Sequence, residues 1–214
     1  MDKNKIRIIK EIEKIVKREL VDESSGHDCW HCQRVVDLAL KIGEKEKADL
    51  WVLKLAGWLH DLGVVQGRKN HELRSAKQAE KILSQFRIPK ETRDKVISCI
   101  KNHRYSTGKT ETLEDKVLRD ADKIDVLGAI GIGRIFACAG RFKKVHFFNG
   151  RLDPDPQRYK KTGWSPHVID HFYEKIFLLP DLLETEMGKK IGKRRIKFTK
   201  QFVQRFLSEW QGKQ

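Results

Sequence analysis

Four side chains that can ligate a metal lie on otherwise apolar helical stripes of this sequence. His31 and His60 stand among aliphatic residues at helical spacing, Asp122 lies one turn after Leu118, and Asp125 lies one turn further on the same face. Taken singly, each has an ordinary explanation, since a His on an apolar face is usually a hydrogen-bonded core residue and an Asp on a charged helix usually faces solvent. Together they predict three core-directed helices that each deliver a polar group, and buried carboxylates require a counter-charge.

A divalent cation is the simplest counter-charge for two imidazoles and two carboxylates. This set of ligands suits Mn, Fe, Co, Ni or Zn, and carboxylates with water also suit Mg. Four protein ligands around an octahedral ion would leave two positions for water and substrate. A hydrolytic metal centre needs such open positions, because the ion acidifies a water and polarises the scissile group. The sequence therefore predicts one divalent ion, with two ions as the alternative.

The order of three motifs resembles a known family. HCQRV at 31–35 comes first, the His60-Asp61 pair follows, and RDADKIDVLGAIGIGR at 119–134 comes last. Over about residues 20–140 this order is similar to that of the HD-domain superfamily of metal-dependent phosphohydrolases. The resemblance implies an all-helical fold and cleavage of phosphomonoesters or phosphodiesters, frequently of nucleotides. It makes these residues the metal ligands: His31, His60, Asp61 and Asp122.

Two further histidines extend what the resemblance implies. Some relatives in this superfamily carry two more His between the His-Asp pair and the last Asp, where they bind a second metal or contact the phosphate. His71, at the start of the predicted fourth helix, and His103, at the end of the fifth, match that description. The alternative is that both are exposed residues at helix ends. His27, in GHDCWH, is interpreted as a cap or as a group behind the ligands rather than as a ligand.

Substrate contacts are predicted with less support from the sequence. Arg34 could pair with Asp61 or bind a phosphate in a bidentate way, or it could be an ordinary surface arginine. Asp125, one turn past Asp122, is a candidate base or a partner that orients a water. Lys123, and Lys175 in the more loosely similar HFYEK segment, are candidate phosphate contacts because such a site needs cationic neighbours.

Helical periodicity dominates the chain and predicts an all-α, single-domain bundle over residues 1–214, with an HD-type core. Gly63 is expected to end the third helix as a C-cap, and Thr112 with Asp115 has the spacing of a capping box. Residues 141–165 are interpreted as a long excursion, with FKKVHFF at 142–148 as the one strand-like stretch. The predicted helices cover 3–20, 28–43, 48–62, 72–86, about 90–103, a segment from about 113 onward, 166–179 and 181–211.

Composition restricts the compartment and the partners. The chain of 214 residues carries 45 Lys and Arg against 30 Asp and Glu, a net charge of +15 that suits anionic partners. A nucleic-acid partner rests on this charge alone, and a solvated basic face explains it equally well. No stretch approaches the roughly 20 apolar residues that span a bilayer. The four cysteines form a single CxxC pair and two isolated residues, which fits a reducing compartment, so a cytoplasmic protein without membrane contact is expected.

The leading hypothesis is a metal-dependent phosphohydrolase that acts on a small phosphorylated molecule such as a nucleotide. The excursion at 141–165, with seven Lys or Arg, is expected to close over this anionic substrate. In a second hypothesis the protein is a di-iron oxygenase, because six of its residues resemble the ligand set of di-iron oxygenases built on the HD scaffold. These residues are His31, His60, Asp61, His71, His103 and Asp122. A third is a non-catalytic module that binds a nucleotide or nucleic acid.

Overall fold

All regular secondary structure in the described part of the chain is helical, as the sequence predicts. The computed structural model describes residues 2–104, 109–141, 145–163 and 165–213. Within these ranges the α-helices are α1 (Lys3–Glu19), α2 (Cys29–Glu46), α3 (Leu50–Leu59), α4 (His71–Leu83), α5 (Lys90–Asn102), α6 (Leu113–Asp125), α7 (Gly128–Gly140), α8 (Pro156–Thr162), α9 (Val168–Glu174) and α10 (Glu186–Trp210). Two 3₁₀ helices, Leu62–Gln66 and Ile176–Leu182, complete the set.

The strand-like stretch at 142–148 is only partly testable, because residues 142–144 lie outside the described residues. Between described residues, β-type pairing is limited to one isolated parallel bridge from His146 to His167. Within the same ranges, no helix combines the length and the apolar character that crossing a bilayer requires.

The chain divides into two compact units. The first contains Met1–Asp122 with Glu184–Met187, and the second contains Lys123–Leu183 with Gly188–Gln214. The prediction of a single domain over 1–214 stays a prediction. All six candidate metal ligands of the sequence belong to the first unit, whereas the candidate contacts at 123, 125 and 175 belong to the second.

The first unit is built around α3, which is apolar on nearly every side. Val52, Leu53, Leu55 and Leu59 are completely buried, and α3 packs against α1, α2 and α5. Helices α2 and α3 each begin at an aspartate whose carboxylate accepts backbone N–H groups of the first turn, Asp28 from His31 and Asp49 from Trp51 and Val52. These caps fix the register in which α2 and α3 present their side chains.

The third helix ends earlier than the sequence predicts. The α-helix stops at Leu59 with His60 as its C-cap, and the chain continues as the first 3₁₀ helix, so the interpretation of Gly63 as a C-cap is wrong. A glycine is required at position 63 because the backbone of α4 passes close to it. A Cβ at Gly63 would lie 2.5 Å from the carbonyl oxygen of His71 and 2.7 Å from Ser75 N. The segment at 64–70, expected to be a loop, therefore begins inside a helix that packs on α4.

Helix α6 begins with the predicted capping box. Asp115 N donates to Thr112 Oγ1 over 3.1 Å, and Thr112 N donates to Asp115 Oδ2 over 3.3 Å. Further along α6, the buried carboxylate of Asp120 accepts hydrogen bonds from Glu184 N and from both the N–H and the hydroxyl of Thr185. Asp120 thereby ties the short segment Glu184–Met187 to the first unit.

The second unit has its own apolar core and a more ordered excursion than the sequence predicts. Its buried core residues come from α7, α9, α10 and the second 3₁₀ helix, and the fully buried Phe172 of α9 lies among them. The predicted excursion at 141–165 contains α8, and the first closing helix predicted at 166–179 is instead the short α9 followed by the 3₁₀ helix.

Two buried carboxylates of α9 hold the excursion in place. Asp170 accepts the N–H of Asp153 over 3.1 Å. Glu174 accepts the N–H of Asp155 over 2.8 Å and the guanidinium of Arg158 over 3.0 Å. Because both carboxylates are buried, these contacts are part of the folded framework of the second unit.

Candidate metal centre

His60 occupies the C-terminal end of α3, and this position explains why a polar residue ends an apolar helix. The last carbonyls of an α-helix have no intrahelical partner. The Nδ1–H of His60 donates to one of them, Gly57 O, over 2.8 Å. A carbonyl oxygen only accepts, so the proton is on Nδ1 and the lone pair of the neutral ring is on Nε2. The helix end therefore fixes both the ring and its tautomer.

His103 and His71 repeat the same arrangement. His103 caps α5 and donates from Nδ1 to Ile100 O over 2.7 Å, while His71 opens α4 and donates from Nδ1 to Arg68 O over 2.9 Å. In all three residues the acceptor is the carbonyl three positions earlier in the chain. Each ring consequently offers Nε2 as its ligand atom, which is the arrangement that orients histidines in metal sites.

Asp61 lies among these rings, and each of its two carboxylate oxygens faces a different pair of imidazoles. Its Oδ1 lies 3.2 Å from His71 Nε2 and 3.7 Å from His103 Nε2. Its Oδ2 lies 3.4 Å from His31 Nε2 and 3.6 Å from His60 Nε2. Asp61 therefore joins two neighbouring groups of imidazoles.

Asp122 completes the group around His31 and His60. Its Oδ1 lies 3.4 Å from His31 Nε2, and the Nε2 atoms of His31 and His60 are 3.3 Å apart. Ligand atoms of His31, His60 and Asp122 all lie within 4.8 Å of one another. The same holds for Asp61, His71 and His103, and for His27, His31 and Asp61. The structure brings together all six residues that the sequence selected; their assignment as metal ligands stays a prediction.

The spacing and the protonation of these atoms fit a cation. Two ligand atoms bonded at right angles to one ion, each at about 2.1 Å, are about 3 Å apart, close to the separations in this cluster. The Nε2 atoms of His71 and His103 are 3.1 Å apart, and each carries a lone pair when its ring is neutral. Such lone pairs repel one another unless a proton or a metal ion lies between them.

The cluster has a buried floor and a partly open rim. His31 and His60 are completely buried and Asp61 is 2% exposed, whereas the side chain of Asp122 is 29% exposed and that of His71 is 12% exposed. Asp122 and His71 are therefore in contact with solvent, whereas His31, His60 and Asp61 are shielded from it.

The protonation states at neutral pH match those of a metal site. Burial opposes the charged form of Asp61, but the neighbouring imidazoles of His60 and His27 outweigh it and hold the pKa of Asp61 well below its usual range. Burial likewise opposes ionisation of Asp122, and its contact with His31 lowers the pKa below the usual range. Burial lowers the pKa of His60 and lowers that of His103 to about 4. Carboxylates are thus ionised and these imidazoles neutral, as ligation requires.

The pKa of His71 shifts in the opposite direction from that of His103. Burial lowers the pKa of His71, but the hydrogen bond and the charge of Asp61 outweigh burial, and the net pKa is raised. A proton on His71 would occupy the space between His71 and His103 that a second ion would otherwise take.

The candidate substrate contacts have other partners or lie elsewhere. Arg34 is half-buried on α2. In the second unit, Asp125 is fully buried and accepts from Arg134 Nη1 over 2.9 Å, which favours a structural role over that of a base. The buried ammonium of Lys123 donates to the carbonyl of Leu182. Lys175 is half-buried, with Nζ 5.9 Å from the ring centroid of Tyr159. Phosphate contact by Arg34, Lys123 or Lys175 stays a prediction.

His27 contacts a candidate ligand, which agrees with its interpretation as a group behind the ligands, whereas the cap of α2 is Asp28. Its Nδ1 lies 2.7 Å from Asp61 Oδ2, the shortest contact of that carboxylate among those described, and its side chain is 17% exposed. The one sequence signal was its position just before Asp28, the cap of the helix that carries His31.

Comparisons with known proteins agree with this geometry. The family model of the HD domain matches residues 30–127. The uncharacterized Bacillus subtilis protein YpgQ is 36% identical over 193 residues, which cover 88% of this chain and 86% of YpgQ. The crystal structure of YpgQ in complex with ADP superposes with a TM-score of 0.73 and 31% identity, over 94% of this chain and 97% of the other.

Two other solved structures are similar along nearly their whole length. A Lactobacillus plantarum protein superposes with a TM-score of 0.79 and 25% identity, over 96% of this chain and 98% of that protein. An HD-superfamily hydrolase from Bacillus thuringiensis superposes with a TM-score of 0.75 and 28% identity, over 97% and 98%.

Proposed function

The chain belongs to the HD-domain superfamily, and from this we propose that it is a metal-dependent phosphohydrolase of small phosphorylated molecules. The observation that carries the proposal is the position of Asp61 between two groups of Nε2 atoms. In three of the rings, His60, His71 and His103, a backbone carbonyl fixes the tautomer. A cluster whose members are oriented one by one has the preorganisation that a reaction centre needs.

His31, His60, Asp61 and Asp122 would hold one divalent ion, and Asp61, His71 and His103 would hold a second. Imidazoles with carboxylates suit Mn, Fe, Co, Ni or Zn, and Mg is the alternative where water supplies most ligands. When bound, such an ion supplies Lewis acidity toward a phosphoryl oxygen and makes a water more acidic.

The residues of the chain itself would orient these ligands and limit access. The carbonyls of Gly57, Ile100 and Arg68 hold three rings by Nδ1, so that each Nε2 stays directed at the cluster. The buried floor excludes bulk water on one side, and the partly exposed Asp122 marks the side from which a substrate would enter.

A nucleotide is the substrate class best supported. YpgQ has been crystallised with ADP, and this chain is similar to YpgQ over most of its length. The net charge of +15 also favours a ligand that carries several negative charges. We therefore propose a phosphomonoester or phosphodiester of a nucleotide or a related small molecule.

Metal analysis of the purified protein, combined with a hydrolysis screen over nucleotides with Mn, Co, Ni and Mg, tests the proposal. Wild-type protein should bind a divalent ion and release phosphate or pyrophosphate from at least one nucleotide. His60→Ala and Asp61→Ala should lose both properties. His146→Ala, at an exposed histidine of the second unit, is the matched control and should retain them. Full activity in His60→Ala or Asp61→Ala would overturn the site assignment.

A di-iron oxygenase is the second candidate, favoured by one specific observation. Asp61 faces a group of imidazoles with each oxygen, which is the arrangement of a carboxylate shared by two ions. Protein that carries two irons and consumes oxygen together with an organic substrate would support this candidate. Nucleotide binding without turnover would support a non-catalytic module instead.

A further inference from the structure

A tight turn ahead of α2 is organised by one carboxylate. Glu23 accepts three hydrogen bonds: Oε2 from Ser25 N over 2.8 Å and from His27 N over 2.9 Å, and Oε1 from the hydroxyl of Ser25 over 2.7 Å. Gly26, inside the turn, has a φ of 84°, in the left-handed region that glycine adopts without strain. The backbone of His27 is thereby fixed before the helix begins.

His27 differs from the other histidines of the cluster in the nitrogen that it presents. His60, His71 and His103 give Nδ1 to a backbone carbonyl and present Nε2 to the cluster. His27 presents Nδ1, which lies 2.7 Å from Asp61 Oδ2. An ionised carboxylate only accepts, so Nδ1 of His27 carries a proton and has no lone pair for an ion at that atom.

We propose that His27 is a positioning residue, which holds the Asp61 carboxylate in the orientation that serves both groups of metal ligands. This inference rests on the metal centre of the proposed function. The terminal torsion of an aspartate has a broad minimum, so a free carboxylate would sample many orientations. A rotation of Asp61 would misplace Oδ1 relative to His71 and Oδ2 relative to His31 together. The hydrogen bond from His27 removes this freedom before a ligand binds.

Isothermal titration of the full-length, metal-free protein with Mn²⁺ and with Co²⁺ tests the role of His27 without any substrate. His27→Ala should weaken binding by about 10–100-fold, the usual cost of losing an outer partner of a metal ligand. His27→Asn should bind within about threefold of wild type, because its amide N–H₂ can replace the Nδ1–H donor. His27→Gln, whose amide lies one bond further out, should resemble His27→Ala.

X-ray absorption of the Co²⁺-loaded protein separates a positioning residue from a direct ligand. His27→Asn should keep the number of coordinated imidazoles of the wild type. Wild-type affinity in His27→Ala, or one imidazole fewer in His27→Asn, would overturn the proposal. Circular dichroism melting checks that each variant is folded. If His27→Ala does not fold, the comparison of His27→Asn with His27→Gln still tests the role of His27.

A His60→Ala titration distinguishes failure of this inference from failure of the proposed function. Wild-type metal affinity in His60→Ala would refute the assignment of the metal centre, and with it the proposed function. Loss of binding in His60→Ala together with wild-type binding in His27→Ala would leave the metal centre in place and refute only the role of His27.

Discussion

His71 Nε2 lies 3.1 Å from His103 Nε2, and neither ring can turn away, because each gives its other nitrogen to the carbonyl three residues earlier. Two neutral rings held in this way present lone pairs to one another, so the pair is stable only with a proton or a cation between the two atoms. The same carbonyl contact fixes His60 on the other side of Asp61. Helix ends, rather than helix faces, thus determine which atoms of this cluster are available to a ligand.

Two aspartates of α6, two residues apart, should respond oppositely to replacement by asparagine. Asp120→Asn puts an amide N–H₂ near the backbone donors of Glu184 and Thr185, so we expect a loss of about 2–4 kcal/mol in unfolding free energy. For a chain of this size that lowers the melting temperature by roughly 4–16 °C. The folded fraction of Asp120→Asn should still bind Mn²⁺.

Asp122→Asn should show the reverse behaviour. Its side chain is 29% exposed, so the melting temperature of the metal-free protein should change less than in Asp120→Asn. Mn²⁺ affinity should fall by more than the roughly 10–100-fold that replacement of an outer partner costs. Calorimetric melting and titration of both variants check this pair of outcomes, and a loss of Mn²⁺ binding in folded Asp120→Asn with none in Asp122→Asn would reverse the assignment.

Gly63→Ala should disturb the candidate second metal group through the backbone. The new methyl group would lie 2.5 Å from His71 O and 2.7 Å from Ser75 N, so the start of α4 must move away from the 3₁₀ helix. We expect a cost of about 1–3 kcal/mol from overpacking and weaker metal binding at His71. Gly133→Ala is the matched control, because a Cβ there meets no atom within 4 Å. Its melting temperature should be unchanged or higher, since alanine favours helices over glycine; equal melting temperatures of the two variants would contradict the steric argument.

The charge of the excursion at 141–165 should affect substrate binding if that segment closes over an anion. Deleting it is a poor test, because Asp170 and Glu174 would lose partners inside the second unit. Replacing the exposed Lys160 and Lys161 of α8 by glutamine removes charge without removing those contacts. KM for the nucleotide should rise by about 3–10-fold at low salt, with kcat unchanged, and the difference should shrink in 1 M salt.

A double replacement of equal charge, Lys3→Gln with Lys10→Gln at exposed positions of α1, is the control for that experiment. It lowers the net charge by the same amount. An equal rise of KM in both double variants would assign the effect to net charge alone, and no rise in either would refute closure over the substrate.

Local periodicity predicts the helices and the inward-facing His31, His60 and Asp122. The other three residues of the cluster, Asp61, His71 and His103, join the predicted site through the resemblance to the HD family. His31, His60 and Asp122 each interrupt an apolar stripe, and a stripe is visible in one dimension. In the motif RDADKID, periodicity does not predict which of the three aspartates belongs to the site. Successive residues of an α-helix point about 100° apart, so the carboxylates of Asp120, Asp122 and Asp125 leave α6 in different directions. Asp120 binds the segment at 184–185, Asp122 lies in the cluster, and Asp125 pairs with Arg134. Only tertiary contacts determine this division of roles.

The contact of His27 with Asp61 could not be predicted for a similar reason. It joins residues 34 positions apart through a turn whose shape depends on Glu23 and on a positive φ at Gly26. Neither feature has a spacing that marks a ligand or its partner. The position of His60 at a helix end, and hence its tautomer, likewise depends on where α3 gives way to a 3₁₀ helix.

Glu23 should stabilise the protein in a pH-dependent way that reports the turn holding His27. Burial raises the pKa of Glu23, but the hydrogen bonds from Ser25 and from the N–H of His27 outweigh it and lower the pKa below the usual value. A carboxyl with a lowered pKa in the folded state contributes stability that is fully present above its unfolded pKa and is lost as the pH falls through the folded value. Glu23→Gln should therefore lower the melting temperature at pH 7 by roughly 2–8 °C, the equivalent of about 1–2 kcal/mol.

That difference between wild type and Glu23→Gln should stay constant down to about pH 4.3, the usual pKa of an unfolded glutamate, and shrink as the pH falls from there toward about 3, because folded Glu23 then becomes neutral as well. Glu13→Gln is a suitable comparison, because Glu13 forms a surface ion pair with Lys17 in α1, and such pairs contribute at most about 1 kcal/mol. Its effect on the melting temperature should be small at every pH. A Glu23→Gln difference that is independent of pH between 7 and about 3 would show that the ionised carboxylate does not organise the turn, and Mn²⁺ affinity in Glu23→Gln should then equal that of the wild type.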